Sequence, residues 1–224
     1  DVYKRQGMSE ALFKFTGACL GHRKGGVAMA AIGACAGFGA ICGSSLATAA
    51  TMGKVALPEL RRLGYSGALS TGTLAAGGTL GILIPPSVIL IIYSILTEQN
   101  IAKMFLAAFI PGILAALGYI FAIGLYVRFV KGSGPTKERV GWKERLSLFK
   151  NIWQIILIFL VMIGGIYLGW FTPTEGGAIG AGGAGLIAIS NKNFKFGDLV
   201  DVIESTAITS AMIFLVLLGA EFFN

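Results

Sequence analysis

Long apolar segments separated by short basic ones dominate this chain, and the pattern predicts a helical membrane protein. The segment Ala68–Leu96 carries no charged residue, and it exceeds the about 20 apolar residues that a spanning helix needs. Four further apolar segments are predicted to be membrane helices. They are Met104–Val130, Ile152–Trp170, Gly177–Ile189 and Ala207–Phe223.

The segment Ala68–Leu96 also contains an interruption at Gly77-Gly78, Gly81 and Pro85-Pro86. Proline removes a backbone donor and pushes the preceding residue out of helical geometry. A membrane helix tolerates such a break only where its freed backbone groups are satisfied by protein, water or a bound ion. Broken helices build the substrate and ion sites of secondary transporters. The alternative interpretation is a plain proline kink.

The preceding segment, Val27–Ala50, is apolar but is built largely of Ala, Gly, Ser and Thr. Basic residues lie on both sides of it, at 22–24 and at 54–62, so the positive-inside rule places both flanks in the cytoplasm. One spanning helix cannot achieve this. We therefore predict a re-entrant hairpin over 27–60 with its tip at Gly43-Ser44-Ser45. The alternative is a single helix of small residues that packs against other helices, in which case the flanking basic residues do not report the topology.

The loop Lys131–Lys150 holds six basic residues and is predicted to be cytoplasmic. Its Gly132, Gly134 and Pro135 indicate a flexible link. Met8–Leu20 has the periodicity of an amphipathic helix lying at the membrane interface. Residues 1–7 are interpreted as a non-native or unstructured start and are set aside.

Composition agrees with a membrane protein, since 55% of the residues are apolar and 13% are charged, against about 25% charged in soluble domains. The net charge of +7 does not indicate nucleic-acid binding, because the basic residues lie between apolar segments.

Gly53-Lys54 lacks the context of a phosphate-binding loop. The three cysteines have no CxxC spacing, so no metal centre is predicted. Ser44-Ser45 has no base placed to activate a nucleophile, and no enzyme is predicted.

The polar groups at the predicted hairpin tip suit a different chemistry. The hydroxyls of the tip and of Thr48 are hard oxygen ligands, and so are the exposed carbonyls of a turn; such ligands suit a small cation. The predicted spans contain essentially no ionisable group, so a proton relay is absent. Coupling to a cation held by neutral oxygens fits the sequence better.

Three long stretches, at Gly39–Tyr65, Leu74–Ser94 and Gly165–Ala181, closely resemble motifs of the large membrane subunit of tripartite ATP-independent periplasmic (TRAP) transporters. The resemblance implies an all-α polytopic protein of the bacterial inner membrane, an inverted-repeat elevator transporter with a re-entrant hairpin and a broken helix in each repeat. Residues 8–130 would be the first repeat, 131–151 the linker, and 152–224 the start of a truncated second repeat. The second hairpin would then lie beyond Asn224.

The resemblance also implies a function and its partners. Such permeases import an organic acid, such as a C4-dicarboxylate or a sialic acid, with sodium ions. A periplasmic binding protein delivers the substrate, and a small membrane subunit braces the large one within the lipid. No cofactor other than the coupling sodium ions is expected.

Carried over by residue, the resemblance places the first sodium site and one wall of the substrate site at the hairpin tip and the broken helix. The residues are Ser44, Ser45, Thr48, Gly78, Thr79, Gly81, Pro85, Pro86 and Ser87. The motif residues Thr172, Thr174 and Glu175 match as well, without an assigned role, and Gly176-Gly177 replaces the usual alanines. A helix cap by Thr174 is an alternative to a ligand role.

Two other functions stay open from the sequence. One is an ion-coupled dicarboxylate or anion symporter that needs no binding protein. The other is a membrane scaffold without a solute path, which has no need of irregular backbone at membrane depth. The sequence does not identify the organic acid, the coupling stoichiometry or the oligomeric state.

Overall fold

The computed structural model describes residues 8–130, 132–190 and 196–222, which form α-helices and contain no strand. The helices are α1 (Met8–Leu20), α2 (Gly26–Cys42), α3 (Ser45–Arg62), α4 (Gly67–Leu83), α5 (Val88–Leu96), α6 (Ile101–Phe129), α7 (Trp142–Lys150), α8 (Trp153–Tyr167), α9 (Pro173–Ser190) and α10 (Phe196–Phe222). The predicted all-α fold is therefore confirmed for the described residues. The predicted start at 1–7 lies outside the described residues.

Helices α2 and α3 form a hairpin. Gly43 ends α2 in the left-handed conformation, with φ of 62°, which glycine adopts without steric cost. Ser44 then caps α3. At the other end, the Val27 amide donates a hydrogen bond to the Tyr65 hydroxyl, so the beginning of α2 and the end of α3 lie together. The position of this hairpin relative to the bilayer stays a prediction.

Helix α4 packs against both helices of the hairpin through glycines. A Cβ atom on Gly77 would lie 2.8 Å from the Cys35 sulfur of α2, and one on Gly78 would lie 2.7 Å from the Cβ of Ala49 in α3. Small residues let helix backbones approach closely in this way. The core centres on α2, where most side chains from Val27 to Ala40 are buried.

The break in the apolar segment 68–96 lies at the Gly and Pro residues where the sequence predicts it. Helix α4 ends at Leu83, α5 begins at Val88, and the two axes are bent by 45°. A second bent pair, α7 and α8, meets at 56°. Within the described residues, α6 alone is long and apolar enough to cross a membrane, and up to three spans result if each bent pair counts as one.

The backbone of linker residues 132–137 is bonded to the base of the hairpin, while the flexibility predicted for the linker stays a prediction. The Gly25 amide donates to the Gly134 carbonyl at 3.1 Å, and the Lys137 amide donates to the Gly21 carbonyl at 2.9 Å. The Ser66 amide donates to the Ser133 carbonyl at 3.1 Å. The linker also contains α7, whose Phe149 ring lies 5.8 Å from that of Phe15 in α1.

Helix α1 packs on α2 through its apolar face, with Leu12 and Phe13 buried. The Thr16 hydroxyl donates to the Ala30 carbonyl at 2.9 Å.

In the second part of the chain, α8 and α9 pack together, and Gly180 of α9 leaves room for the sulfur of Met162. Helix α10 begins eleven residues earlier than the apolar segment predicted at 207–223.

Candidate functional site

The hairpin tip is built from a glycine turn followed by a capped helix. The Ser44 side-chain oxygen accepts a hydrogen bond from the Ala47 amide at 3.4 Å, which satisfies one of the free donors in the first turn of α3. The side chain of Ser45, the first residue of α3, is partly exposed at this tip. Its hydroxyl is engaged in no side-chain hydrogen bond to any described residue.

Thr48 lies one turn into α3 and is fully buried. Its hydroxyl donates to the Ser44 carbonyl at 2.7 Å and lies 3.2 Å from the sulfur of Cys42. A hydroxyl that donates its single hydrogen keeps oxygen lone pairs for another partner. The tip therefore presents neutral oxygen atoms from the Ser44, Ser45 and Thr48 side chains.

The break between α4 and α5 supplies backbone oxygens. In a continuous helix the carbonyls of Gly81 and Ile82 would bond the amides four residues later, but those residues are Pro85 and Pro86, which have no N–H. The Ser87 side-chain oxygen accepts from the Leu90 amide at 3.4 Å and caps α5. The break thus ends one helix with unpaired acceptors and starts the next with a serine cap.

The hairpin tip and the break are in direct contact. The Val88 amide donates to the Gly43 carbonyl at 3.3 Å. A Cβ atom on Gly81 would lie 2.6 Å from the Thr48 hydroxyl oxygen and 2.8 Å from the Ser44 carbonyl oxygen. A Cβ atom on Gly43 would lie 2.7 Å from the Pro86 carbonyl oxygen. Only residues without side chains fit at these two positions.

Most of the predicted site residues are thereby brought together. Gly78 faces α3, where its Cβ atom would lie 3.3 Å from the Ser45 carbonyl oxygen. Pro85 and Ser87 are buried at the break. Thr79 is not part of this contact, because its hydroxyl lies 3.1 Å from the hydroxyl of Tyr119 on α6. Helix α4 therefore turns its glycines toward the hairpin and Thr79 toward α6.

Three residues at or beside this contact were not among the predicted site residues. Cys42 contacts Thr48, and Tyr119 contacts Thr79. Gly39 of α2 meets α4 so closely that a Cβ atom would lie 2.6 Å from the Gly81 Cα. The spacing of Gly33, Gly37 and Gly39 along α2 is a signal of close helix contact that could have pointed to Gly39, but no local signal marks the other two.

The predicted motif residues Thr172 and Glu175 form a reciprocal cap at the start of α9. The Thr172 amide donates to a Glu175 carboxylate oxygen at 2.7 Å, and the Glu175 amide donates to the Thr172 hydroxyl at 3.3 Å. This is a capping box, with Pro173 at the first helical position. The cap residue is Thr172, so the alternative that Thr174 forms the cap is wrong; Thr174 is exposed. The bond from the Thr172 amide lowers the pKa of Glu175.

Comparison with known proteins agrees with this architecture. The family model described as the DctM component of the tripartite ATP-independent periplasmic transporter matches residues 1–224, including the seven residues set aside above. A C4-dicarboxylate TRAP transporter large permease of Pseudomonas aeruginosa is 37% identical over 213 residues, which cover 94% of this chain and 49% of that protein.

Other relatives carry names for different solutes. A sialic acid TRAP transporter permease of Haemophilus influenzae is 37% identical over 176 residues, 78% of this chain and 28% of the relative. An ectoine TRAP transporter large permease of Halomonas elongata is 31% identical over 224 residues, 99% of this chain and 52% of the relative.

The chain spans about half the length of the first of these relatives. The family match covers every residue of the chain, and the relatives are named as transporter permeases rather than enzymes. This chain belongs to the family of DctM components, the large permease subunits of tripartite ATP-independent periplasmic transporters.

Proposed function

We propose that the chain provides the first half of the transport site in a permease that imports an organic acid together with sodium ions. The observation that carries this proposal is the contact between the hairpin tip and the broken helix, joined by the bond from the Val88 amide to the Gly43 carbonyl. Discontinuous helices that meet at membrane depth are how secondary transporters form ion and substrate sites.

The chemistry of the contact favours a hard cation. The side chains of Ser44, Ser45 and Thr48 and the carbonyls before Pro85 offer several neutral oxygens, the ligand type that such ions prefer. Helix α2 has 17 residues and is about 25 Å long at 1.5 Å per residue. A hairpin entering from one side would therefore bring its tip well into a hydrocarbon core of about 30 Å.

The family supports the rest of the proposal. In the full-length protein, a second inverted repeat would complete the site and move with the first as an elevator in the bacterial inner membrane. A small membrane subunit and a periplasmic binding protein would be the partners. The relatives are named for C4-dicarboxylate, sialic acid and ectoine, so the solutes named within the family go beyond the two classes predicted from the sequence.

The direct test is uptake by the full-length permease reconstituted with its small subunit in proteoliposomes. We expect uptake of the cognate solute to require both an inward sodium gradient and the periplasmic binding protein. Sodium-dependent uptake that needs no binding protein would favour the independent symporter. The absence of uptake under every condition, from a complex that assembles and binds its loaded binding protein, would favour a scaffold.

A single-atom change tests the site itself. Ser45→Ala removes one hydroxyl oxygen from the tip and should leave packing intact, because the side chain is partly exposed. Loss of one ligand among several should weaken the ion site by about 1–3 kcal/mol, or about 5- to 150-fold in sodium affinity. Ser147→Ala, an exposed serine of α7, is the matched control. Equal sodium dependence in both variants would remove Ser45 from the site.

A further inference from the structure

A cavity lies away from the hairpin tip, where the hairpin base, the end of α6 and the linker meet. Its volume is about 960 Å³. The residues that line it come from the turn before α2, the turn after α3, the last turns of α6 and the linker. They are Lys24, Leu63, Gly64, Gly124, Val127, Arg128, Gly132, Gly134, Pro135 and Thr136.

Among the described residues that line it, the cavity carries two positive charges and no negative one. Lys24 and Arg128 line it, and none of the lining residues is an Asp or Glu. Neither cation forms an ion pair with a carboxylate of the described residues, whereas the nearby Arg62 and Lys137 both pair with Glu59. The charge of Lys24 and Arg128 is therefore left available for an anion.

The walls of the cavity are partly bare backbone. Gly64 and Gly132 both have φ of 80°, where other residues are strained, and a Cβ atom on either would meet nothing within 4 Å. Gly134 is held in place by the bond that its carbonyl accepts from the Gly25 amide. The Thr136 side chain adds a hydroxyl. These walls leave space for a polar group in the cavity that both cations line.

The location of the cavity indicates where its ligand comes from. Arg128 lies in the last turn of α6, the helix that can cross a membrane by itself. A basic residue at the end of a spanning helix lies at the level of the lipid headgroups. Basic pockets between membrane helices on the cytoplasmic side bind anionic headgroups.

We propose that this cavity binds the phosphate group of an anionic lipid headgroup, with Lys24 and Arg128 as its cationic contacts. Free inorganic phosphate presents the same chemistry and is the other possible source of the group. The site is separate from the hairpin tip, so it can be tested without measuring uptake.

The test uses the full-length permease with its small subunit in detergent, and it follows the midpoint of thermal unfolding. Phosphatidylglycerol, phosphatidylcholine and inorganic phosphate are titrated in separate experiments. We expect phosphatidylglycerol to raise the midpoint and phosphatidylcholine to leave it unchanged. Lys24→Gln with Arg128→Gln should raise the half-saturating phosphatidylglycerol concentration about 25-fold, about five-fold for each charge lost.

The matched control is Arg23→Gln with Arg61→Gln, which removes two exposed positive charges from the same end of the hairpin without altering the cavity lining. Its titration should equal that of the wild type. Lys24→Arg with Arg128→Lys keeps both charges and should retain binding. This variant keeps the proposal testable where the neutral variant fails to fold, and its loss of binding would contradict a site that recognises charge.

An equal titration in the neutral variant and the wild type would overturn the proposal. Equal weakening of phosphatidylglycerol binding in the Arg23→Gln and Arg61→Gln control would also overturn it. A wild-type midpoint that ignores both phosphatidylglycerol and phosphate would also overturn it. Protection by phosphatidylglycerol alone, lost in the neutral variant, supports a lipid ligand. Protection by inorganic phosphate that is lost in the same variant supports the phosphate site with a soluble source.

Discussion

The Tyr65 hydroxyl accepts a hydrogen bond from the Val27 amide at 3.1 Å and donates one to the Pro135 carbonyl at 2.7 Å. The first turn of any helix has amides without intrahelical partners, and in α2 one of these is satisfied by a residue that follows α3. The same hydroxyl reaches the linker after α6. One buried side chain thus joins the two ends of the hairpin to the segment leading into the second half of the chain.

The first prediction concerns this hydroxyl. Tyr65→Phe should destabilise the protein by about 1–3 kcal/mol, because a buried amide and a carbonyl both lose their partner. Thermal or denaturant unfolding of the full-length protein in detergent measures the change. Tyr93→Phe, at an exposed tyrosine of α5, should leave stability unchanged. Equal stability of Tyr65→Phe and wild type would show that the hydroxyl does not hold the hairpin base.

The second prediction concerns topology. In full-length protein without native cysteines, Arg23→Cys and Arg61→Cys should both be labelled only from the cytoplasm, since they flank the two ends of the hairpin. Gln99→Cys, in the exposed turn between α5 and α6, should be labelled only from the periplasm, because α6 crosses the membrane between this turn and the linker predicted to be cytoplasmic. Labelling of positions 23 and 61 from opposite sides would rule out a re-entrant hairpin.

The third prediction concerns the contact between tip and break. Gly81→Ala places a methyl group 2.6 Å from the Thr48 hydroxyl oxygen and 2.8 Å from the Ser44 carbonyl oxygen. Overpacking of this kind costs about 1–3 kcal/mol, and we expect both unfolding temperature and uptake to fall. Gly118→Ala in α6 meets open space and should be tolerated. Full uptake by Gly81→Ala would contradict the close contact.

The fourth prediction separates a cap from a ligand role in the motif at α9. Thr172→Ala should lower stability by about 0.5–2 kcal/mol, the usual cost of losing an N-cap, and should leave the sodium dependence of uptake unchanged. Thr174→Ala, beside it and exposed, should change neither quantity. A shift in sodium dependence with Thr172→Ala, without a loss of stability, would instead favour a ligand role.

The fifth prediction concerns pH. The hydrogen bond from Arg62 lowers the pKa of Glu59, and Lys137 of the linker lowers it further. Because the pKa of Glu59 is lower in the folded protein than in the unfolded chain, its ionised form stabilises the fold. This stabilisation is fully present above the pKa of the unfolded chain, about 4.3, and is lost as the pH falls through the pKa of the folded protein. For this partly exposed pair the effect should be about 1 kcal/mol or less.

Glu59→Gln should remove that acid-dependent part of the unfolding curve, and Glu138→Gln, at an exposed glutamate of the linker, should not. Unfolding midpoints measured between pH 3 and pH 7 provide the comparison. Identical pH dependence in the wild type and Glu59→Gln would show that the link between α3 and the linker contributes nothing to stability.

Local chemistry determined the breaks in this chain. Proline has no amide to donate, so Pro85-Pro86 ends α4 and frees carbonyls whatever the surroundings. Glycine followed by serine favours a left-handed turn and a helix cap, and Gly43-Ser44 forms both. The length of the apolar segment at 104–130 predicted a membrane helix, and the observed helix at 101–129 agrees with those bounds to within three residues. These features depend on neighbours in sequence, so they could be predicted.

Only the tertiary structure decided which side chains meet. The rotation of α4 about its axis turns Gly81 toward Thr48 and Thr79 toward Tyr119, and a uniformly apolar helix carries no periodicity that reveals this rotation. The docked linker is equally hidden, because the partners of Tyr65 lie 38 and 70 residues away along the chain. Such contacts depend on packing between distant segments, and residue types alone do not specify it.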